Sequence, residues 1–427
     1  MAVDRSPASP RSHRRRAAYR IAPLAACRCV LVFVALAVGV AGCGSAGTVH
    51  MLAAMRPVPS ASQSVPSSGG TAGAPSAGGE EAARPTAPSP AVKLPLNRAI
   101  GQMLMSHVSG LTASPHLLAR IRAGQVGSVI LYRENISSDR QLAALTSSLQ
   151  RAARSGGNPP LFIGTDQEGG SVRRLYQAPP TMSAREMGAT SHPRAVAERQ
   201  GFATGVHLRG LGINLDFAPV ADIPTSAENF LQDRAFGRSQ RAVEEGATGF
   251  AVGLSRARVA GSAKHFPGLG AAGPLDSDFT VVNITASKAS LRGSYGPYRD
   301  MARGGPTVAP LIMVSDAIYP NLDSSNVPAV LSRRILRSEI ASAQLTGRVM
   351  ITDDLEVPSV ERYSDAAVRA VLAGENILMF AQREVSSARA YDAIRAAVAS
   401  GIIPAALVDA AAARVIALKQ SLQVASR

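Results

Sequence analysis

From about residue 93 onward, short apolar segments alternate with longer segments of helical spacing, and this alternation limits the folds open to the chain. The apolar segments are rich in Val, Ile and Leu, as buried strands are. They span residues 126–135, 160–170, 213–222, 259–266, 311–320, 348–356 and 375–380. The stretches between them, such as 139–157 and 365–374, are amphipathic and end in glycine. Continuous apolar strands alternating with helices predict a parallel sheet covered by helices.

The number of these units favours a closed barrel. Seven or eight strand–helix units within residues 93–427 suit a (β/α)8 TIM-type barrel better than an open doubly wound sheet. A dinucleotide-binding Rossmann sheet is disfavoured because no G-x-G-x-x-G motif follows the first strand. We therefore expect residues 93–427 to form one α/β barrel domain.

Polar side chains recur where the apolar segments end. One charged residue at a strand end is usually a helix cap or a solvated turn, but a repeat of the pattern in six units is harder to explain that way. The carboxyl ends of barrel strands are where such enzymes collect their active-site groups. The residues concerned are Arg133, Asn135, Asp166, Glu168, Asp222, Lys264, His265, Asp316, Asp353 and Asp354.

The N-terminus has the pattern of a bacterial export signal. Arginines up to Arg28 precede the apolar stretch 30–40, which is too short to be a stable membrane span. The sequence V-A-G-C that ends at Cys43 resembles a lipobox, in which cleavage leaves the cysteine lipidated at the mature N-terminus. We predict a lipoprotein signal peptide over 1–42 and a protein anchored through Cys43 to the outer face of the cytoplasmic membrane. Ordinary signal-peptidase cleavage, or an uncleaved anchor, is the alternative.

Residues 43–92 are rich in Pro, Ser, Gly and Ala and have almost no large apolar side chains. Such a segment cannot bury enough surface to offset its ordering entropy, so we predict a disordered linker. The net charge of the whole sequence is +15, but seven arginines lie in the leader and no run of basic residues follows it. With aromatic residues at 4%, nucleic-acid binding is not expected.

The residue types at the strand ends fit either a metal site or a site for a polyhydroxylated substrate. The sequence has no H-x-H or H-E-x-x-H spacing, and His265 is the only histidine after His207, so we expect no metal and no cofactor. Glycoside chemistry needs one carboxylate at the anomeric carbon, one proton donor and groups that hold sugar hydroxyls. Those residue types are present.

Several stretches resemble the family 3 glycoside hydrolases, and most closely the single-barrel β-N-acetylhexosaminidases that remove N-acetylglucosamine from peptidoglycan fragments. They occur in the family's order over about residues 95–420. The stretches are GQMLM (101–105), GSVILYREN (127–135), DQEGGSVRR (166–174), INLDFAPVADI (213–223), DRAFG (233–237), KHFPGLG (264–270) and ITDDL (351–355).

The resemblance implies roles for individual residues. Asp353 matches the nucleophile, which forms a covalent glycosyl-enzyme and so retains the anomeric configuration; its neighbour Asp354 is the alternative. The residues that match those holding sugar hydroxyls are Asp166, Arg174, Arg234, Lys264 and His265. A carboxylate can bridge neighbouring hydroxyls, while Arg and Lys orient the ring through charge-assisted hydrogen bonds. A salt-bridge network that only closes the barrel mouth is the structural alternative.

The general acid/base does not match the family pattern. In the N-acetylglucosaminidase subgroup the loop reads K-H-F-P-G-H-G followed by D-S-H, whose last histidine is the acid/base. Here Leu269 and Asp278 replace the two loop histidines. Asp278 would need its pKa raised by burial or by Asp276 to serve as the acid.

Two other possibilities remain open for the proton donor. Another strand-end carboxylate, Asp316 or Glu168, could supply the proton, or the acid function has been lost. Ser171 and Asp316 also depart from the family pattern, which often has Arg and His there, so a shifted substrate is possible.

We expect an exo-acting retaining β-glycosidase, a β-N-acetylglucosaminidase acting on cell-wall glycan fragments, that works as a monomer. Its partners would be its carbohydrate substrate and the membrane. A non-catalytic glycan-binding lipoprotein with a relic active site is the main alternative. A glycoside phosphorylase, in which phosphate resolves the glycosyl-enzyme, is a further one.

Overall fold

The computed structural model describes residues 94–422 of the 427-residue chain. The predicted signal peptide 1–42, Cys43 and the linker 43–92 lie outside the described residues, so those expectations stay predictions. Within the described part, no helix combines the length and the apolar character needed to cross a lipid bilayer.

Eight parallel strands close into a barrel, as the alternation of strands and helices predicts. Their order around the barrel is β1-β10-β9-β8-β7-β6-β3-β2, and β1 closes the ring by pairing with both β10 and β2. Two further strands, β4 and β5, form a small antiparallel hairpin directly after β3. The strands are β1 (Leu104–His107), β2 (Ser128–Leu131), β3 (Phe162–Thr165), β4 (Gln167–Gly169), β5 (Val172–Arg173), β6 (Leu215–Asp216), β7 (Ala260–Phe266), β8 (Leu311–Val314), β9 (Val349–Asp354) and β10 (Ile377–Phe380).

Helices alternate with the strands. The α-helices are α1 (Leu96–Gln102), α2 (Pro115–Arg122), α3 (Asp139–Ser155), α4 (Ala184–Gly188), α5 (Pro193–Gly210), α6 (Gln240–Arg256), α7 (Lys288–Gly293), α8 (Gly296–Arg303), α9 (Ile340–Ser342), α10 (Pro358–Glu361), α11 (Ala366–Ala373), α12 (Glu384–Ala399) and α13 (Ala405–Ser421). Short 3₁₀ turns lie at Arg133–Asn135, Gln232–Arg234 and Ala329–Leu331, and one π turn lies at Ile335–Glu339. The amphipathic stretches 139–157 and 365–374 correspond to α3 and α11.

Each of the seven apolar segments contains one barrel strand, but the sequence pattern missed the eighth. Strand β1 has the sequence L-M-S-H and begins two residues after α1 ends. Ser106 and His107 are polar but buried, so this strand lacks the apolar run that marks the others.

The barrel interior is filled by side chains. Phe162 and Phe217 lie in it with Met105, Ile130 and Leu311. Gly164 makes room for this packing, because a Cβ at that position would lie 2.9 Å from the Phe217 ring. The barrel is therefore a packed core rather than a pore, and any site must be built on its rim.

Candidate active site

The side chains proposed from the sequence lie at one end of the barrel, where the parallel strands finish. Asp166 directly follows β3, Lys264 and His265 belong to β7, and Asp353 belongs to β9. Because the carboxyl ends of parallel strands meet at one rim, residues far apart in the chain come together here. Asp316 lies two residues after β8 and joins the same rim.

A buried ion-pair network occupies one side of this rim. The Nζ atom of Lys264 lies 2.8 Å from Asp166 Oδ1 and 2.7 Å from Glu168 Oε1. Arg174 Nη2 lies 3.3 Å from Asp166 Oδ2. Burial alone would raise the pKa of Asp166, but Lys264 and Arg174 outweigh it and lower that pKa to about 2. The Asp166 carboxylate is therefore ionised at neutral pH and can act as a hydrogen-bond acceptor.

Glu168 is a member of this network that the predicted set of sugar-binding residues omits. It receives two hydrogen bonds from Arg234, from Nε at 2.9 Å and from Nη2 at 3.0 Å. Burial opposes its ionisation, but Arg234 and Lys264 keep its pKa below the ordinary value. A carboxylate held ionised between two cations is poorly suited to donate a proton. The structure thus argues against Glu168 as the general acid.

Ser171 and Asp233 position the segment that carries Arg234. The backbone N–H and the hydroxyl of Ser171 donate to the Asp233 carboxylate at 2.8 and 2.7 Å. Ser171 is the residue that stands where relatives often have arginine. Here it ties the β4–β5 hairpin to the Gln232–Arg234 turn, so this departure from the pattern has a structural role.

His265 is oriented by Asp222, a fully buried carboxylate. Asp222 Oδ2 lies 2.7 Å from His265 Nδ1 and accepts the His265 backbone N–H at 3.1 Å. Its other oxygen accepts the backbone N–H of Leu269 at 2.6 Å. Asp222 therefore holds both the histidine and the start of the following loop. The sequence marked it only as one of several strand-end polar residues.

The loop after β7 is fixed by close backbone packing. Gly270 lies so near Ile223 that a Cβ would stand 2.0 Å from the Ile223 carbonyl oxygen, and Gly268 has φ +131°. Leu269, in place of the family's first loop histidine, is buried in the apolar core. It cannot contribute to the chemistry, and the loop instead presents Asp276 and Asp278 further on.

The two neighbouring aspartates of β9 have different surroundings. Asp354 accepts hydrogen bonds from the backbone of Glu356 and Ala381 and from Gln382 Nε2, at 3.1, 3.0 and 2.9 Å. These bonds tie β9 to the residues after β10. The carboxylate of Asp353 instead lies beside Asp278 and Asp316. This difference favours Asp353 over Asp354 as the nucleophile.

Three carboxylates meet at the centre of the rim. One carboxylate oxygen from each of Asp278, Asp316 and Asp353 lies within 4.8 Å of the others. Asp316 is fully buried and Asp353 is 9% exposed. At an effective dielectric constant of about 20, two unit charges 4.8 Å apart repel by about 3.5 kcal/mol. The three groups therefore resist simultaneous ionisation.

The surroundings of each carboxylate decide how strongly it holds a proton. Burial raises the pKa of Asp353 and Asp316 adds to this rise, while His265 and Lys264 oppose it. Burial raises the pKa of Asp316 to about 7. No described donor has good hydrogen-bond geometry to either Asp316 oxygen, although the Ser277 hydroxyl acts to lower this pKa.

Asp278 lies in an exposed part of the loop, but the surrounding protein desolvates its carboxyl group. This desolvation raises the pKa of Asp278, and the negative charge of Asp276 raises it further. The Asp278 backbone N–H donates to Asp276 Oδ1 at 3.1 Å, which fixes the two residues relative to each other. Both means of raising the pKa that the sequence suggested are therefore present.

Among the residues that the structure describes, these three carboxylates are the group whose spacing could suit a metal cation. Three carboxylates supply at most six oxygens, the lower end of the range that Ca²⁺ takes, and the cluster has no histidine or thiolate ligand of the kind zinc favours. We therefore assign no metal here, and the expectation of a metal-free site stays a prediction.

A closed parallel barrel with paired carboxylates and buried cations on its rim is the arrangement of a glycoside hydrolase. The sequence pattern of the "Glycosyl hydrolase family 3 N terminal domain" matches residues 95–418. The chain belongs to glycosyl hydrolase family 3. It is similar to the β-N-acetylhexosaminidases of that family, as its motifs indicated.

Relatives and solved structures support this placement. An "uncharacterized secreted glycosyl hydrolase" of Arthroderma benhamiae is 34% identical over 345 residues, which cover 78% of this chain and 96% of the relative. A β-hexosaminidase of Bordetella parapertussis is 32% identical, with 62% of this chain and 75% of the relative covered. The solved family 3 β-N-acetylglucosaminidase of Paenibacillus sp. has a TM-score of 0.73 and 31% identity over 78% of this chain. This chain spans 63% of the length of the Paenibacillus chain.

Proposed function

We propose that this protein is an exo-acting retaining β-N-acetylglucosaminidase, with Asp353 as the nucleophile and Asp278 as the general acid/base. The observation that carries the proposal is that carboxylate oxygens of these two residues lie within 4.8 Å of each other. Retaining glycosidases hold their two carboxyl groups about 5 Å apart, whereas inverting enzymes leave room between them for a water molecule.

The reaction then proceeds in two balanced steps. Asp353 attacks the anomeric carbon while protonated Asp278 gives its proton to the departing glycosidic oxygen, so one C–O bond forms as another breaks. Asp278, now a carboxylate, takes a proton from water, and that water oxygen displaces Asp353 from the sugar. Two inversions at the same carbon retain its configuration.

The ion-pair network holds the sugar in position for this attack. Lys264, Arg174 and Asp166 are already fixed by their mutual contacts, so little side-chain freedom is lost when a sugar replaces water. Arg and Lys can then donate to hydroxyl oxygens while Asp166 accepts hydroxyl protons. His265, oriented by Asp222, completes the set.

We further propose that the substrates are cell-wall glycan fragments and that the protein acts outside the cytoplasmic membrane. The export signal, the lipobox-like sequence at Cys43 and the Pro/Ser/Gly/Ala linker support this location. The β-hexosaminidase relatives support an N-acetylhexosamine as the sugar that is released.

An aryl β-N-acetylglucosaminide tests the catalytic roles. We expect the wild type to release the aryl alcohol and Asp353→Asn to lower kcat by about a thousandfold or more. Asp278→Ala should regain turnover with azide, because a good aryl leaving group needs no acid and azide needs no base to resolve the glycosyl-enzyme. Asp392→Asn is the matched control, because its side chain is 71% exposed.

Several outcomes would contradict the proposal. Unchanged turnover in Asp353→Asn would exclude this nucleophile. Saturable binding of muropeptides without hydrolysis of any aryl glycoside would identify a glycan-binding protein instead. Sugar 1-phosphate formation that depends on phosphate would identify a phosphorylase.

A further inference from the structure

Asp316 is a buried carboxyl group at the reacting centre that the two-residue mechanism leaves without a role. It is fully buried, and neither of its oxygens has a donor with good hydrogen-bond geometry among the described residues. Its backbone carbonyl, in contrast, accepts a hydrogen bond from Ser359 at 2.9 Å. The backbone is thus held by a hydrogen bond, while the side chain faces other acids and the Ser277 hydroxyl.

The groups around Asp316 differ from those around the nucleophile. Asp278 lies on the loop after β7 and Asp354 on β9, and the negative charge of each raises the pKa of Asp316. Tyr319, on the segment after β8, is an uncharged neighbour whose own pKa Asp316 helps to raise. Asp353 of β9 is the third neighbour within the carboxylate cluster. Lys264 and His265 of β7 favour the ionised form of Asp353 but do not offset its burial, and His265 and Arg234 act in the same direction on Asp278. Because Asp353 must be ionised to attack the sugar, the proton that the cluster keeps serves the proposed reaction only when it lies on Asp278 or Asp316.

Two of the departures from the family pattern also meet in space. Asp278 and Asp316 each stand where relatives commonly have a histidine, on different segments 38 positions apart in the chain. The fold brings their carboxylate oxygens within 4.8 Å of each other. Two acids so close hold one proton more tightly than either would alone, because a proton removes their mutual repulsion.

We propose that Asp316 and Asp278 form a carboxyl–carboxylate pair that shares one proton, which Asp278 delivers to the glycosidic oxygen. This inference rests on the proposed function. Asp316 is a positioning residue in this scheme, because it acts through Asp278 and need not touch the sugar. Its raised pKa, about 7, agrees with a pair that keeps its proton near neutral pH.

The charge balance of the first step is compatible with such a pair. Before the step, Asp353 and one member of the pair are ionised, and the pair holds one proton. After the step, Asp353 is an uncharged ester and both members of the pair are ionised. The cluster carries two negative charges before and after, so the buried site accumulates no extra charge. The second step returns the proton from water and frees Asp353.

The pH dependence of kcat/KM on an aryl β-N-acetylglucosaminide tests the pair. Asp316→Asn keeps the size of the side chain but removes its negative charge, so Asp278 should lose its proton at lower pH. We expect the basic limb of the profile to move to lower pH by about one unit or more, with KM little changed on the acid side. Asp316→Glu should lie closer to the wild type, and Asp392→Asn should match it.

Carbon-13 NMR of labelled aspartate carboxyls gives a readout that does not need activity. Asp278 lies on an exposed part of the loop, so the substitution Asp278→Asn should leave the fold intact. We expect it to lower the pH at which the buried Asp316 resonance titrates. A basic limb that stays in place in Asp316→Asn, or an Asp316 titration unaltered by Asp278→Asn, would overturn the shared proton. Absence of glycosidase activity in the wild type would instead refute the proposed function, while the NMR titration would still decide the pair.

Discussion

At the scale of single residues, Asp222 shows how one buried carboxylate can hold a histidine of the candidate site. Its carboxylate lies 2.7 Å from His265 Nδ1, which fixes the orientation of the imidazole ring. The same carboxylate holds the backbone of Leu269. Asp222 therefore controls both the orientation of His265 and the path of the loop.

Asp222→Asn should impair substrate binding and turnover without preventing folding. The amide has the shape of the carboxylate but only one accepting oxygen, so either His265 or the Leu269 backbone N–H loses its acceptor. Loss of such a buried hydrogen bond costs about 1–3 kcal/mol, so we expect kcat/KM to fall by about ten- to a hundredfold, with a rise in KM. Steady-state kinetics on an aryl β-N-acetylglucosaminide measure this. Kinetic constants equal to those of the Asp392→Asn control would contradict the positioning role.

The sequence predicts the residue types of the site better than their partners. Asp353 and Lys264 could be placed from the strand-end pattern and the family motifs. The role of Asp222 depends on a contact with His265, 43 positions away, and that of Glu168 on a contact with Arg234, 66 positions away. The contact that distinguishes Asp353 from Asp354 also exists only after the barrel closes.

At the scale of elements, the β4–β5 hairpin and the Gln232–Arg234 turn together hold Arg234 at the proposed sugar site. Glu168 in β4 contacts both Arg234 and Lys264, while Ser171 at the hairpin tip holds Asp233 of the turn. The sequence did not indicate this hairpin, because two and three residues are too few for a strand pattern. The pairing of β4 with β5 and the contacts of Glu168 and Ser171 with the turn hold the hairpin in place.

Glu168→Gln should lower the free energy of unfolding by about 3–5 kcal/mol, because it leaves two buried cations short of one negative charge. The pKa of Glu168 lies below its ordinary value of 4.5, so its stabilisation is present above that pH and is lost as the pH falls below it. The difference in the free energy of unfolding between the wild type and Glu168→Gln should therefore shrink toward pH 3. Urea unfolding at neutral and acid pH measures it.

The matched control for Glu168→Gln is Glu361→Gln. Glu361 pairs with Arg383 at the surface, where the Glu361 side chain is 50% exposed and that of Arg383 is 57% exposed. A pair of this kind contributes only about 0–1 kcal/mol. Equal losses in the two variants would show that the buried network contributes no more than a surface ion pair.

At the scale of the whole molecule, the two ends of the barrel are built differently. The carboxyl ends of the strands carry the charged site, while α13 covers the opposite end with Lys419, a lysine only 2% exposed. Its Nζ donates to Gln102 Oε1 at 2.7 Å and to the Gly127 carbonyl at 2.8 Å, and lies 5.2 Å from the centre of the Phe162 ring. These partners lie where β1, β2 and β3 begin. The overall barrel was predictable from the strand–helix alternation. The burial of Lys419 was not, because a lysine near the end of a helix is ordinarily solvated.

Burial lowers the pKa of Lys419 from 10.5 to about 7. Between these values the unfolded chain binds a proton that the folded protein does not, so the free energy of unfolding should rise with pH, by up to about 1.4 kcal/mol per pH unit. Lys419→Met removes this proton linkage while keeping a long side chain over Phe162. Urea unfolding at pH 7 and at pH 9 should therefore show that the wild type gains stability relative to Lys419→Met as the pH rises.

Lys288→Met, at a side chain that is 40% exposed, is the control and should show no such divergence from the wild type. Parallel pH dependence in wild type and Lys419→Met would mean that Lys419 stays charged in the folded barrel, held by the Gln102 and Gly127 oxygens and the Phe162 ring.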